Sequence, residues 1–159
     1  MTWQLRRATP QDLEAIMAIE TATFTDDAWS PATMRGELAD RNGYYLVAFP
    51  PQHPELIEAY AGLRSPLRAP QADIQTIAVV EAARRRGLGR VLMLCMIAQA
   101  RERGAEELFL EVRADNPGAQ AMYLSLGFEQ IAQRPNYYGA GVDAVIMRLT
   151  IAEPEVSVA

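Results

Sequence analysis

One cysteine and one histidine stand in the whole 159-residue chain. A single cysteine excludes an internal disulfide, and Cys95 with His53 offers no spacing that a zinc site could use, so no structural metal is expected. Positive charge is in deficit: 15 Lys and Arg face 20 Asp and Glu, a net charge of −5. That balance argues against direct binding of nucleic acid, for which a whole domain is usually basic. No window approaches the roughly 18 uninterrupted apolar residues of a membrane span. The opening MTWQLRRATPQDLEA lacks the apolar block of a signal peptide. A cytoplasmic protein without a membrane partner is therefore expected. What the chain does have is 50% hydrophobic residues in a length typical of one domain, enough to bury a core.

Reading along the chain, TPQDLEAIMAIETATF places Leu13, Ile16, Met17 and Ile19 or Glu20 at helical spacing behind a Thr9 to Asp12 start signal. In SPATMRGELAD, Ser30 before Pro31 reads as an N-cap with proline at the first helical position. GYYLVAF and LIEAYAGLR read as strands on either side of the turn PPQHPE. The proline-broken RSPLRAPQAD reads as a loop, followed by a strand over Ile74 to Val80 and a helix over Leu88 to Arg103, closed by Gly104. ELFLEVRA follows as a strand, NPGAQAMYLSLG as a short helix, and FEQIAQRPNYY and DAVIMRLT as two final strands. Strands alternating with helices before a last strand pair predict an α/β fold built on one mixed sheet. Residues 1–150 are expected to form the domain, with a loose acidic tail over 151–159.

The stretch TIAVVEAARRRGLGRVLML concentrates four arginines and two glycines between a strand and a helix. Such a loop is a candidate anion site, because glycines let backbone N–H groups converge and the following helix presents unsatisfied amides and a positive dipole end. A pyrophosphate suits that setting; a solvated basic face is the plain alternative. No G-x-x-x-x-G-K-[ST] is present, and GLGRVL has leucine where a dinucleotide fingerprint needs its third glycine. A phosphate-bearing ligand other than a simple NTP or NAD is favoured.

Here the residues resemble the GCN5-related N-acetyltransferase (GNAT) family. Its signature [Q/R]-x-x-G-x-[G/A] is matched by Arg84, Gly87 and Gly89, and LFLEVRADNPGAQAMYLSLGF follows at the expected distance. Within that family LEVRADN, AMYLSLGF, WSPATMRGEL and NYYGAG are similar to the ribosomal-protein-alanine N-acetyltransferases. The resemblance implies a mostly antiparallel sheet of about six to seven strands with a splayed parallel central pair, flanked by helices. It also implies acetyl-CoA as acetyl donor. The pyrophosphate would lie on the loop of Arg84, Arg85, Arg86, Gly87, Leu88, Gly89 and Arg90, and the pantetheine arm against Ile77, Ala78 and Val79, with the Val79 N–H polarising the thioester.

Alternation in LFLEVRA puts Leu108, Leu110 and Val112 on one face and Phe109, Glu111 and Arg113 on the other. By pattern alone Glu111 would pair with Arg113 or another basic group; by resemblance it is the general base. Tyr123 shares a helical stripe with Ala119, Met122 and Leu126, ordinarily a core position; by resemblance its hydroxyl is the general acid toward the CoA sulfur. Asn116, at the helix start, matches the asparagine that contacts the CoA arm. Trp29, Tyr137 and Tyr138 are implied to line an acceptor groove, and Pro135 with the short GAG connection departs from the relatives. Cys95 lies in the apolar VLMLCMIA segment, so no acetyl-cysteine intermediate is expected.

The implied acceptor is the N-terminal amine, an alanine's, of a small-subunit ribosomal protein, reached by direct transfer in a ternary complex. The implied assembly state is a monomer or weak homodimer. Acetylation of another N-terminus, a lysine or a small-molecule amine, and a non-catalytic CoA- or RNA-binding module, remain the alternative readings of the same residues.

Overall fold

The computed structural model describes residues 2–139 and 141–151. Its elements run β1 (Gln4–Arg7), α1 (Leu13–Thr23), α2 (Pro31–Ala39), β2 (Gly43–Phe49), β3 (Ala59–Arg64), β4 (Gln71–Val79), α3 (Leu88–Glu102), β5 (Glu107–Arg113), α4 (Pro117–Ser125), β6 (Glu129–Arg134) and β7 (Ala144–Thr150). The strands form one seven-stranded sheet in the order β1-β2-β3-β4-β5-β7-β6. β4 and β5 are parallel, in register over Gln71–Asp73 against Glu107–Phe109. The sheet is mixed, because the other described registers are antiparallel. The expected tail beyond Ile151 lies outside the described residues.

The chain divides into two compact units, Met1–Arg64 with Ile74–Met96, and Ser65–Asp73 with Ile97–Ala159. In the first, Ile16, Ile19, Met34, Tyr45, Val47, Tyr60 and Ala78 form a buried cluster. The stripe predicted for α1 supplies two of them, and Ser30 caps α2 as read, its hydroxyl accepting from the Thr33 N–H at 3.1 Å. Glycine is required at Gly62, where the Tyr45 ring of the facing strand lies against the place a Cβ would occupy. Arg6 of β1 donates two 2.8 Å bonds to Asp12, which also accepts from the Thr9 N–H, so the carboxyl of Asp12 is held below its usual range chiefly by that guanidinium.

In the second unit β5 alternates as predicted: Leu108, Leu110 and Val112 are buried, while Phe109 and Arg113 are partly exposed and Glu111 is exposed. β7 pairs along the whole of β5, Leu110 facing Met147 and Glu111 facing Ile146. α4 starts on Asn116, whose side chain accepts from the Ala119 N–H at 3.2 Å, and the chain leaves it through Gly127 at φ +102°.

Several boundaries differ from the sequence reading. β1 was not expected. β4 begins at Gln71 and not Ile74, because Ala72 and Ile74 point inward while Gln71 and Asp73 face water, so the polar residues belong to an alternating strand. β3 begins at Ala59, three residues after the exposed Leu56. β6 ends at Arg134, before a proline that has no N–H for a ladder and Asn136 at φ +53°.

Candidate active site

The end of β4 and the basic loop lie in the first unit. Ala78 is buried in the core cluster, while Ile77 and Val79 are half-buried. After Val79 the chain makes a short 3-10 turn, Glu81–Ala83, and Arg84 folds back so that its Nε donates to the Val79 carbonyl at 2.9 Å. Arg85 (φ +65°) and Gly87 (φ +82°) are both left-handed, and α3 begins at Leu88. Two left-handed residues bend the loop sharply just before α3, whose N-terminus carries its own unsatisfied amides. A Cβ at Gly87 would stand in open space, so this glycine answers to backbone conformation. Arg84, Arg85, Arg86 and Arg90 are exposed, Gly89 is partly so, and Leu88 is buried, pinning the start of the helix. Backbone amides, a dipole end and arginines fit the pyrophosphate of acetyl-CoA.

Trp29, also in this unit, is half-buried against the core cluster. Its backbone N–H donates to Glu20, a buried carboxylate that also accepts from the hydroxyls of Tyr60 and Thr76. Burial, reinforced by the bond to Glu20, pushes the Tyr60 phenol well above its ordinary value, so it remains a donor. Sequence reading placed Glu20 on the helical stripe without assigning it a role.

Glu111, Tyr123, Asn116, Tyr137 and Tyr138 lie in the second unit. Glu111 meets Arg134 of β6 at 3.5 Å, and Tyr137 lies beside the same carboxylate, whose accepting oxygens and negative charge raise the tyrosine's pKa. The ion pair left open by the sequence is therefore with Arg134; Arg113 instead holds Asp115 through bonds of 2.9 and 3.1 Å. Arg134 was missed because nothing in the spacing of β6 registers it with Glu111. The Tyr137 and Tyr138 rings meet edge to face at 5.1 Å, with Arg134 over the first at 5.5 Å and Arg113 over the second at 5.2 Å. Tyr123 is buried on α4, its phenol pushed up to about 12 mainly by burial and then by its electrostatic interaction with Tyr138. The structure thus gathers Glu111, Tyr137 and Tyr138, and places Asn116 at the start of the helix that carries Tyr123. A carboxylate open to solvent can take a proton, and a phenol that stays neutral far above pH 7 can give one. Cys95 is a half-buried free thiol. Among the described residues no cluster of His, Cys, Asp and Glu could hold a metal ion, and no helix is long and apolar enough to cross a membrane.

Residues 13–128 match the family model of the acetyltransferase (GNAT) family. The chain belongs to this family. The GNAT match takes in Trp29, the end of β4, the basic loop, Glu111, Asn116 and Tyr123, and stops before Tyr137 and Tyr138. The chain is 34% identical over 150 residues to the N-alpha-acetyltransferase RimI of Mycobacterium tuberculosis, covering 92% of this chain and 91% of that one. A Mycobacterium leprae protein is 38% identical over 144 residues, 88% of this chain, but the chain spans only 38% of its length. The crystal structure of the ribosomal-protein-S18-alanine N-acetyltransferase from Escherichia coli superposes with a TM-score of 0.85 at 30% identity, covering 99% of each chain. The GNAT fold expected from the motifs, a mixed sheet with a parallel β4–β5 pair, is the one found.

Proposed function

We propose that this GNAT protein transfers acetyl from acetyl-CoA to a protein N-terminal amine, the acceptor being the N-terminal alanine of a small-subunit ribosomal protein. The observation that carries the reading is the likeness to the E. coli ribosomal-protein-S18-alanine N-acetyltransferase over 99% of each chain. Bound acetyl-CoA supplies an activated thioester. The amides and arginines of the Arg84 to Arg90 loop hold its pyrophosphate, Ile77, Ala78 and Val79 offer backbone to its arm, with the Val79 N–H facing the thioester oxygen, and the Asn116 side chain contacts the arm. Glu111 takes the proton from the attacking amine, directly or through water, and Tyr123 gives its phenolic proton to the departing thiolate. Acceptor contact is assigned to Trp29, Tyr137 and Tyr138.

Energetics support an α-amine over a lysine. Neutralising an α-amine of pKa about 8 at pH 7 costs roughly 1.4 kcal/mol, against roughly 4.6 kcal/mol for a lysine near 10.4.

Intact-mass measurement tests the reading. The protein is mixed with acetyl-CoA and a panel of peptides bearing the N-termini of small-subunit ribosomal proteins, beside lysine peptides and free amines. One added acetyl on an alanine-initiated peptide is expected, with none retained by the enzyme before acceptor is added and with Cys95→Ala still active. Preferential acetylation of lysines or free amines, or a stable acetyl-enzyme, would overturn it.

A further inference from the structure

Glu20 is 2% exposed, although α1 could present an apolar side chain there to the same core cluster as Ile16 and Ile19. Burying a carboxylate is costly unless every lone pair finds a donor. Among the described residues its donors are an amide and two hydroxyls, with no guanidinium: Oε2 accepts from the Trp29 N–H at 3.0 Å, and Oε1 accepts from the Thr76 hydroxyl at 3.1 Å and from the Tyr60 hydroxyl. These donors belong to three segments, the α1–α2 connection, β4 and β3. The residue before Thr76 is tied in the same way, Gln75 donating to Glu37 of α2 at 2.6 Å. Two consecutive β4 side chains are thus fastened to α1 and α2 immediately before Ile77. One of the two carboxylates also fixes the backbone of Trp29.

We propose that Glu20 is a positioning residue, holding the Trp29 segment to β4 at the start of the stretch that offers its backbone to acetyl-CoA. An apolar side chain would fill the space; the carboxylate adds fixed directions between the acceptor wall and the donor strand. The kinetic consequence rests on the acetyltransferase reading above, while the structural one does not.

Trp3 and Trp29 are the only tryptophans, so Trp3→Phe leaves Trp29 as sole fluorescent indole. In that background Glu20→Gln keeps the shape of the side chain but replaces one acceptor oxygen by a donor. In the free protein it should shift Trp29 emission to the red and raise its quenching by acrylamide. With acetyl-CoA and an acceptor peptide, the peptide KM should rise roughly tenfold, the size expected for losing one hydrogen bond to a charged group. The kcat and the thermal shift given by acetyl-CoA should stay close to those of the parent.

Unchanged Trp29 quenching in folded Glu20→Gln overturns the proposal. So does a loosened Trp29 with an unchanged peptide KM, which would reduce Glu20 to packing. If Glu20→Gln does not fold, Thr76→Val deletes one donor to the same carboxylate, and an unmoved Trp29 signal there overturns the proposal equally. Failure of the unmutated protein to acetylate any peptide would count against the acetyltransferase reading, with the Trp29 comparison still deciding whether the clamp exists.

Discussion

Tyr123→Phe removes one oxygen from a ring that is 6% exposed and packed edge-on against Phe128, with centroids 5.9 Å apart. The ring stays, so little packing is lost. Burial holds the native phenol at about 12, whereas an unfolded tyrosine titrates near its ordinary value of 10.0. A raised native pKa means that the folded protein keeps a proton the unfolded chain has released. The associated stability is fully present below about pH 10 and is lost as pH rises toward 12. The rise from 10.0 to about 12 amounts to about 2.7 kcal/mol in all, of which about 1.4 kcal/mol is gone by pH 11. Phenylalanine does not titrate, so whatever the stability difference between variant and parent at about pH 8, it should move by about 1.4 kcal/mol in the variant's favour at about pH 11. Tyr45 and Tyr60 are buried and raised too, so both proteins weaken in alkali and only their difference is diagnostic. Urea unfolding followed by circular dichroism at both pH values measures it. Turnover of an N-terminal peptide should fall in the variant and should not recover with pH, because the missing step is donation of a proton. Parallel loss of stability in the two proteins at high pH refutes the burial argument; parent-like turnover refutes the donor role.

Glu111→Gln should leave acetyl-CoA binding intact and slow acetylation by roughly 100- to 10,000-fold, with partial recovery as pH rises and the free amine fraction grows; unchanged turnover would return Glu111 to its ion pair with Arg134. Gly87→Ala forces a side chain into φ +82°, which costs roughly 1–2 kcal/mol, and sets a methyl group in the open space of the loop. Differential scanning fluorimetry should show a lower melting temperature and a smaller rise with acetyl-CoA; a full rise would mean the pyrophosphate sits elsewhere.

The legible parts of the fold were those with local physical signals. The Ser30 and Asn116 caps, the proline after each, and the alternation of Leu108, Leu110 and Val112 fix α2, α4 and β5 without reference to the rest of the chain. β1 carries no such signal: in Gln4–Arg7 only Leu5 is not exposed, and the strand exists because its backbone pairs with Arg7 to Leu46 and Gln4 to Phe49 on β2. The candidate site divides the same way. Glycines at a strand–helix junction announce the loop, whereas the pattern around Glu111 announces only a charged residue in mid-strand that needs a partner, its role as a base coming from the family resemblance. Arg134 could not be read, because its meeting with Glu111 depends on β6 and β7 pairing across a bulge at Gln130 and Ala132. Glu20 had a signal in hand, a charged residue four positions after Ile16 on an apolar stripe, where a polar residue must find partners or stay out.

β7 lies between β5 and β6 in the sheet, although it follows both in the chain. During synthesis β5 and β6 therefore exist before the strand that joins them, and each has an unsatisfied edge until Ala144–Thr150 has been made. Such edges recruit other chains. β6 is composed against that: Glu129, Gln130, Gln133 and Arg134 leave it polar, all six of its residues remain exposed even in the finished fold, and its bulge breaks the regular ladder an intruder would need. β5, with three buried apolar side chains, has no such protection. Its aggregation hazard lasts only until β7 arrives, so truncation or slowed translation ahead of Ala144 should harm solubility far more than the loss of seven residues from an ordinary edge strand.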